Sequence, residues 1–455
     1  MTSTSSATKA PRAPGPKGPP LIGVLPAVLR DPLAALTAYA RAHGDVVRVP
    51  LGPRPAYLVA HPELIKHVLV DGAVHYSKGR TWEKTRSYLG QGLATAEGEL
   101  WRKQRRLMQP QFHRESVAKL AALIAETIAV CIARLDVHAA DGSPVDIAAE
   151  LMLMTLDGLK RTLFGGVKKT EVAGFTEAFQ VALDHTTKRV LSPIDIPDGL
   201  PLPSNLRFKK AKATLDRVVY GVIEERRASP EATHDLLSML LDATDPESGE
   251  AMGNDQLRDE VITLFLGGSE TTANGLSWAF FLLAKHKEIE ARVYEEARAV
   301  LADRVPVVDD LGKLKLASAV FEESMRLFPQ NWVMSRDTID DDVVGGFHIP
   351  GKVTVFLGVH AVHRDPRFWD QPDKFDPERF FPENSAGRHP FAYLPFGGGQ
   401  RKCIGNNFSM LEATFAIAMI VRAFRIELVD ELAVTPDPKF NLRAKNGIAV
   451  RLTRR

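Results

Sequence analysis

The sequence predicts a mainly α fold with a small β part, and three observations carry that reading. Apolar residues recur at helical spacing in long runs from about Gly98 to Lys287. Strand patterns are confined to a short N-terminal stretch and to the region after Met334. No internal repeat occurs, and after the N-terminal tail no linker is long enough to separate independent domains. The expected organisation is a flexible, Pro-rich tail over residues 1–22 and a single domain over residues 23–455, its strand-bearing part drawn from both ends of the chain.

The elements follow in order. The leader "MTSTSSATKAPRAPGPKGPPLIG" has no apolar run long enough for a signal core or a membrane span, so a mobile tail without a membrane anchor is expected. Leu33 to Ala42 reads as a short helix, and Val46 to Leu51 with Ala56 to Ala60 as two strands joined by a "GPRP" turn. A helix should begin near Pro62, since proline suits a first helical position. The helical region is broken at "FGGVKK" and at "LSPIDIPDGLPLPSN", and the acidic "DATDPESGEAMGNDQ" precedes its longest member, Asp255 to His286. That pattern would extend about 48 Å as one helix. Further on, "DDVVGGFHIPGK" reads as a hairpin around Gly345 and Gly346, "VTVFLG" as a buried strand, and a proline-rich irregular run leads to "FGGGQRKCIG".

Totals narrow the function. A net charge of +2 gives no global attraction to nucleic acid or anionic lipid. Two cysteines, Cys131 and Cys403, cannot build a disulfide framework, and neither has a CxxC neighbour. A reducing cytoplasm fits best. Cys131, inside "IAVCIARL", reads as a buried, inert core residue.

Cys403 is different because of its surroundings. It stands where a glycine-rich loop enters the helix "NNFSMLEATFAIAMIVRAF". Backbone N–H groups and the positive end of the helix dipole would stabilise a thiolate there. The loop has neither GxGxxG nor GK[ST] spacing, which argues against a phosphate cradle. Phe396, Gly399, Arg401, Cys403 and Gly405 match FxxGxRxCxG, and here the chain resembles the cytochrome P-450 superfamily from about Pro19 to the C-terminus. The resemblance implies a triangular-prism fold with a long central helix over haem b, and Cys403 as the thiolate ligand of its iron. Thiolate ligation favours O–O cleavage.

The long helix carries "FLGGSETTANG" at its middle. Adjacent glycines there cost roughly 1 kcal/mol each relative to alanine, so something should require them. Without a Cβ, Gly267 and Gly268 would let a flat macrocycle lie against the helix. The Thr271 hydroxyl can bond the Gly267 carbonyl and open a polar notch. An isolated GGxxT reads more readily as a packing kink with a satisfied threonine. The resemblance makes Thr271 and Glu270 the pair that steers protons to dioxygen. GxSxG fails, because Thr271 stands where its second glycine would be.

Glu323 and Arg326 at i, i+3 spacing suggest by themselves only a solvated pair. The resemblance, through ExxR and "DPERF", makes them a buried structural network with Arg379. It likewise assigns Trp101, Arg105, Arg401 and Arg336 to the haem propionates, for which a guanidinium fork is suited. Arg102, Lys103, Arg106 and Lys402 are expected to form a positive patch for an acidic ferredoxin or flavodoxin, itself fed by a reductase. His360 and His363 have metal-ligand spacing but no third ligand nearby, and read as structural.

The function implied is a monomeric, cytoplasmic monooxygenase that inserts one atom of O2 into a small apolar substrate, with electrons arriving from NAD(P)H through separate proteins. Position within the family places Tyr76 to Leu93, Leu264, Phe265, Gly268, Trp332, Val333, Met334 and Phe440 around the substrate. A fatty acid, terpenoid or steroid suits such a lining, and Lys84 and Arg86 are candidate partners for a carboxylate. A peroxygenase using H2O2 and a haem-based gas or redox sensor are the alternatives. The acid–alcohol pair argues against both.

Overall fold

The computed structural model describes residues 10–52, 54–165, 174–192, 196–228 and 235–455. They gather into two compact units, each built from separate stretches of chain. One comprises Met1–Thr81, Glu322–Cys403 and Pro436–Arg443, the other Trp82–Phe321, Ile404–Thr435 and Ala444–Arg455.

The first unit contains a five-stranded sheet in the order Val46–Leu51, Arg54–Val59, Thr354–Leu357, Met334–Thr338, Tyr76–Ser77. The two N-terminal strands pair antiparallel, with Val46 opposite Val59 and Leu51 opposite Arg54. Thr354–Leu357 runs parallel to one neighbour, with Tyr57 opposite Val355, and antiparallel to the other, with Met334 opposite Leu357. Val46, Tyr57, Val59, Val355 and Leu357 are buried with Ile65, Val344 and Leu394 in one apolar cluster. The expected hairpin is present: Asp342–Val344 pairs with Phe347–Ile349 across Gly345 and Gly346. Both turn glycines have positive φ, 58° and 81°, as the tightest two-residue hairpin turn requires. Pro62 opens the Pro62–Lys66 helix, where His61 Nδ1 accepts from the Glu63 N–H.

From Pro11 onward carbonyls of the leader serve as acceptors for backbone N–H groups of the strands. His348 N donates to Pro11 O at 2.9 Å, Arg48 N to Pro14 O at 2.7 Å, and Ala13 is buried in the sheet's apolar cluster. A Cβ on Gly15 would lie 1.9 Å from Arg48 O, so only glycine permits that approach. Residues 1–9 lie outside the described residues.

The second unit is helical, with Ala121–Asp141, Ile147–Phe164, Glu270–Lys285 and Asn406–Ala423 among its helices. The Ile147–Phe164 helix ends at the expected "FGGVKK" interruption, of which residues 166–169 lie outside the described residues. A second interruption falls between Phe175–Leu191 and Pro203–Ala228, and residues 193–195 within it are likewise outside. A three-stranded sheet of Val145–Asp146, Ala449–Arg454 and Phe424–Leu428 was not foreseen, although burial alternates residue by residue from Ala449 to Thr453. Among the described residues no helix is long and apolar enough to cross a membrane.

Glu412 is buried in the Asn406–Ala423 helix, 2 % exposed, and its Oε2 has no hydrogen-bond partner among the described residues. Burial pushes its carboxyl up to about 8, so it is protonated at neutral pH. Because the folded-state pKa lies above the ordinary value, this group destabilises the fold progressively as pH rises from about 4.5 to about 8. Glu412→Gln should therefore shrink the fall in Tm that the wild type shows between these pH values. Equal falls in the two proteins would contradict a neutral Glu412.

Candidate active site

In the first unit, Cys403 closes the loop that begins at Phe396. Its N–H donates to Phe396 O at 2.9 Å, and Lys402 N donates to Gly399 O at 3.1 Å. Gly397 and Gly399 have φ of 70° and 68°. A Cβ on Gly399 would stand 2.2 Å from Leu69 O, so the loop's approach to His67–Asp71 depends on glycine. Met334 meets this loop, its Sδ lying 3.5 Å from where a Cβ on Gly397 would be. The Cys403 thiol is exposed and outside any disulfide, whereas Cys131 is buried and its thiol is pushed up to about 12 by that burial. Arg401 and Arg336 are half-buried in the same unit, with Arg336 Nη1 donating to Ser335 O.

The structure brings Glu323 and Arg326 together with both side chains at 0 % exposure. Arg326 Nε and Nη2 bond the two carboxylate oxygens at 2.6 and 2.8 Å. Arg379 reaches the same carboxylate only at 3.5 Å and gives its Nη2 to Gln371 O, so it borders the pair without joining it bidentately. His360 and His363 share no metal-ligand cluster, as none occurs among the described residues.

In the second unit the helix expected over Asp255 to His286 is two helices, Asn254–Gly268 and Glu270–Lys285, meeting at Ser269. The expected Thr271 bond is present, Oγ1 to Gly267 O at 2.5 Å. Two further hydroxyls that sequence reasoning missed act at the junction: Ser269 Oγ donates to Phe265 O at 2.7 Å, and Thr155 Oγ1 to Ser269 O at 3.1 Å. Ser269 lies four residues after Phe265, so its back-bond was legible in "FLGGSETT". Thr155 is 114 residues distant and carried no local signal. The two glycines divide their roles. Gly267 is exposed, with nothing within 4 Å of a Cβ, but a Cβ on Gly268 would meet Leu159 at 3.0 Å. Gly268 thus allows close packing of its helix on Leu159.

Phe265 is fully buried, its ring 4.6 Å from that of Phe175 and 5.3 Å from that of Phe164. Leu264 is half-buried against the same core. Trp332 and Val333 pack on the cluster of Val24, Val47 and Leu58, and Trp332 Nε1 donates to Lys439 O, next to half-buried Phe440. Lys84 Nζ donates to Arg189 O and Ser192 O, and Arg86 to Thr95 O. Both cations are committed to main-chain carbonyls. Trp101 is buried one helical turn before half-buried Arg105. The expected positive patch is largely neutralised: Arg102 pairs with Glu99, Lys103 with Glu250, and Arg106 with Asp245 and Glu247.

The family model described as Cytochrome P450 matches residues 13–449, and the chain belongs to that family. It is 37% identical over 431 residues to cyclooctatin synthase of Streptomyces melanosporofaciens, covering 94% of this chain and 93% of the relative. It is 34% identical to pentalenene oxygenase of Streptomyces avermitilis, covering 97% of each. The crystal structure of the cytochrome P450DA heme domain superposes with a TM-score of 0.89 at 26% identity, over 98% of each chain. The protein is accordingly a cytochrome P450 oxidoreductase, and its cofactor is haem b. The residues present fit that group: an exposed soft sulfur donor on a glycine-fixed loop, and an open glycine face beside a threonine hydroxyl.

The interrupted helix gives a direct test. Thr155→Val removes the hydroxyl donor to Ser269 O and leaves that carbonyl with the Ala273 N–H alone, a loss of one buried hydrogen bond that costs about 0.5–1.5 kcal/mol. A lowered denaturant midpoint with unchanged slope is expected. An unchanged midpoint would show that this hydroxyl does not hold the junction.

Proposed function

We propose that residues 23–455 act as one P450 domain that inserts one atom of O2 into an apolar, terpenoid-like substrate, with Cys403 as the iron ligand. The observation that carries this reading is the exposed Cys403 thiol on its glycine-fixed loop, the other cysteine being buried and inert. A terpenoid is favoured over a fatty acid, because Lys84 and Arg86 already serve main-chain carbonyls and offer a carboxylate little. Relatives named cyclooctat-9-en-7-ol 5-monooxygenase and pentalenene oxygenase support the same choice.

When bound, thiolate-ligated haem supplies the oxygen-activating chemistry. The chain's residues control protons and position. The Thr271 O–H is held on Gly267 O, which leaves its oxygen lone pairs to accept a hydrogen bond from water. Rotation away from Gly267 O then lets Thr271 pass its own proton onward. Glu270, in the first turn of its helix, is the carboxylate that connects this site with solvent. Arg105, Arg336 and Arg401 hold the haem propionates, with Trp101, Phe396, Gly405 and Gly267 completing the cofactor contacts. Met334, Leu264, Val333, Trp332 and Phe440 border the substrate. Glu323, Arg326 and Arg379 are structural.

Electrons come from NAD(P)H through a reductase and a ferredoxin or flavodoxin that approaches exposed Lys402, and the enzyme works as a cytoplasmic monomer. Turnover with such partners, 18O2 and a library of cyclic alkenes and alkenols should yield product carrying one labelled atom, with rates that fall as ionic strength rises. Thr271→Ala should lower product per NAD(P)H about tenfold or more and release peroxide instead. Product without label, or full coupling in Thr271→Ala, would contradict the reading.

A further inference from the structure

His363 is a fully buried side chain at the end of the Val359–His363 helix, and the reading above gives it no chemical role. Both of its ring nitrogens are engaged. Nε2 accepts the backbone N–H of Leu394 at 2.8 Å, and Nδ1 lies 3.2 Å from Arg326 O. An Nε2 that accepts carries no proton, so the proton is on Nδ1 and is donated to Arg326 O. Burial, together with the nearby Arg326 charge, pulls the imidazole down to about 3, so the ring stays neutral in this tautomer across physiological pH. His363 O in turn accepts from Arg326 Nη1 at 2.8 Å.

These bonds form a continuous path through the first unit. Glu323 holds Arg326, Arg326 and His363 hold each other through two bonds, and His363 holds Leu394. Gly397 N then donates to Leu394 O at 3.2 Å, and Phe396 O accepts the N–H of Cys403 at 2.9 Å. Without His363 the Leu394 N–H would be an orphaned buried donor at the entry to the cysteine loop, and the loop would lose its hydrogen-bonded link to the buried ion pair. We propose that His363 is a positioning residue that fixes the cysteine loop through the Leu394 N–H and thereby keeps the Cys403 sulfur where it can ligate iron.

This inference rests on the reading of Cys403 as iron ligand, and the test separates the two. Gln at 363 places an amide oxygen near the Nε2 position and can still accept from Leu394 N, whereas Asn reaches only as far as the Nδ1 position. Haem-loaded wild type, His363→Gln and His363→Asn are compared by absorbance under dithionite and carbon monoxide, reading the ratio of thiolate-type to non-thiolate signal. Wild type and His363→Gln should give similar ratios, and His363→Asn a ratio lower by about fivefold, as expected for one lost hydrogen bond. Asn and Gln variants that behave alike, whether both resemble wild type, both are impaired or both fail to fold, would overturn the inference. So would a lower ratio in Gln than in Asn. Absence of the thiolate-type signal in wild type would overturn the reading of Cys403 and this inference with it.

Discussion

One guanidinium organises the first unit. Arg326 has no exposed surface, and each of its five N–H groups has an acceptor: both oxygens of Glu323 and the carbonyls of His363, Pro372 and Lys374. The Trp369 ring lies 4.9 Å from its carbon centre. Burying two charges carries a desolvation cost of several kcal/mol per ion, offset only when geometry and additional hydrogen bonds are both good. Here the pair gathers the His363 carbonyl at a helix end and two carbonyls, of Pro372 and Lys374, from an irregular proline-rich run that has no ladder of its own, and Glu323 also accepts the Asp376 N–H. A helix pair thus gives order to a stretch where local sequence supplies little.

The second unit meets a related problem with hydroxyls. At Ser269 the main-chain bonds continue, Ser269 N–H to Phe265 O and Ala273 N–H to Ser269 O, and the hydroxyls of Thr271, Ser269 and Thr155 add donors to the carbonyls of Gly267, Phe265 and Ser269. The interruption leaves Gly267 open on one side, while Gly268 stays packed on Leu159. A polar feature is therefore built into an otherwise apolar helix, and every hydroxyl that creates it has an acceptor.

Much of this was legible in the sequence where chemistry is local. The Phe396–Gly405 loop, the Gly345–Gly346 hairpin, the Pro62 helix start and the Thr271 back-bond each depend on residues within a few positions of one another. What escaped the sequence depends on partners far along the chain. Nothing near Phe265 says that Phe164 and Phe175 enclose it, and nothing in the basic run at Trp101 shows that Glu250 and Asp245 neutralise it. His360 and His363 read as structural from the sequence, but only the fold shows His363 bonded to Leu394. The leader offers no apolar run in sequence, yet the carbonyls of Pro11 and Pro14 accept from strand N–H groups.

The central claim is that the sulfur of residue 403 is bonded to haem iron. Iron-edge X-ray absorption on the purified ferric protein tests it most directly. One sulfur scatterer in the first coordination shell, absent from Cys403→Ser loaded with the same haem, is the predicted result. A shell of nitrogen and oxygen alone in the wild type, or a sulfur that persists after Cys403→Ser, would contradict the account.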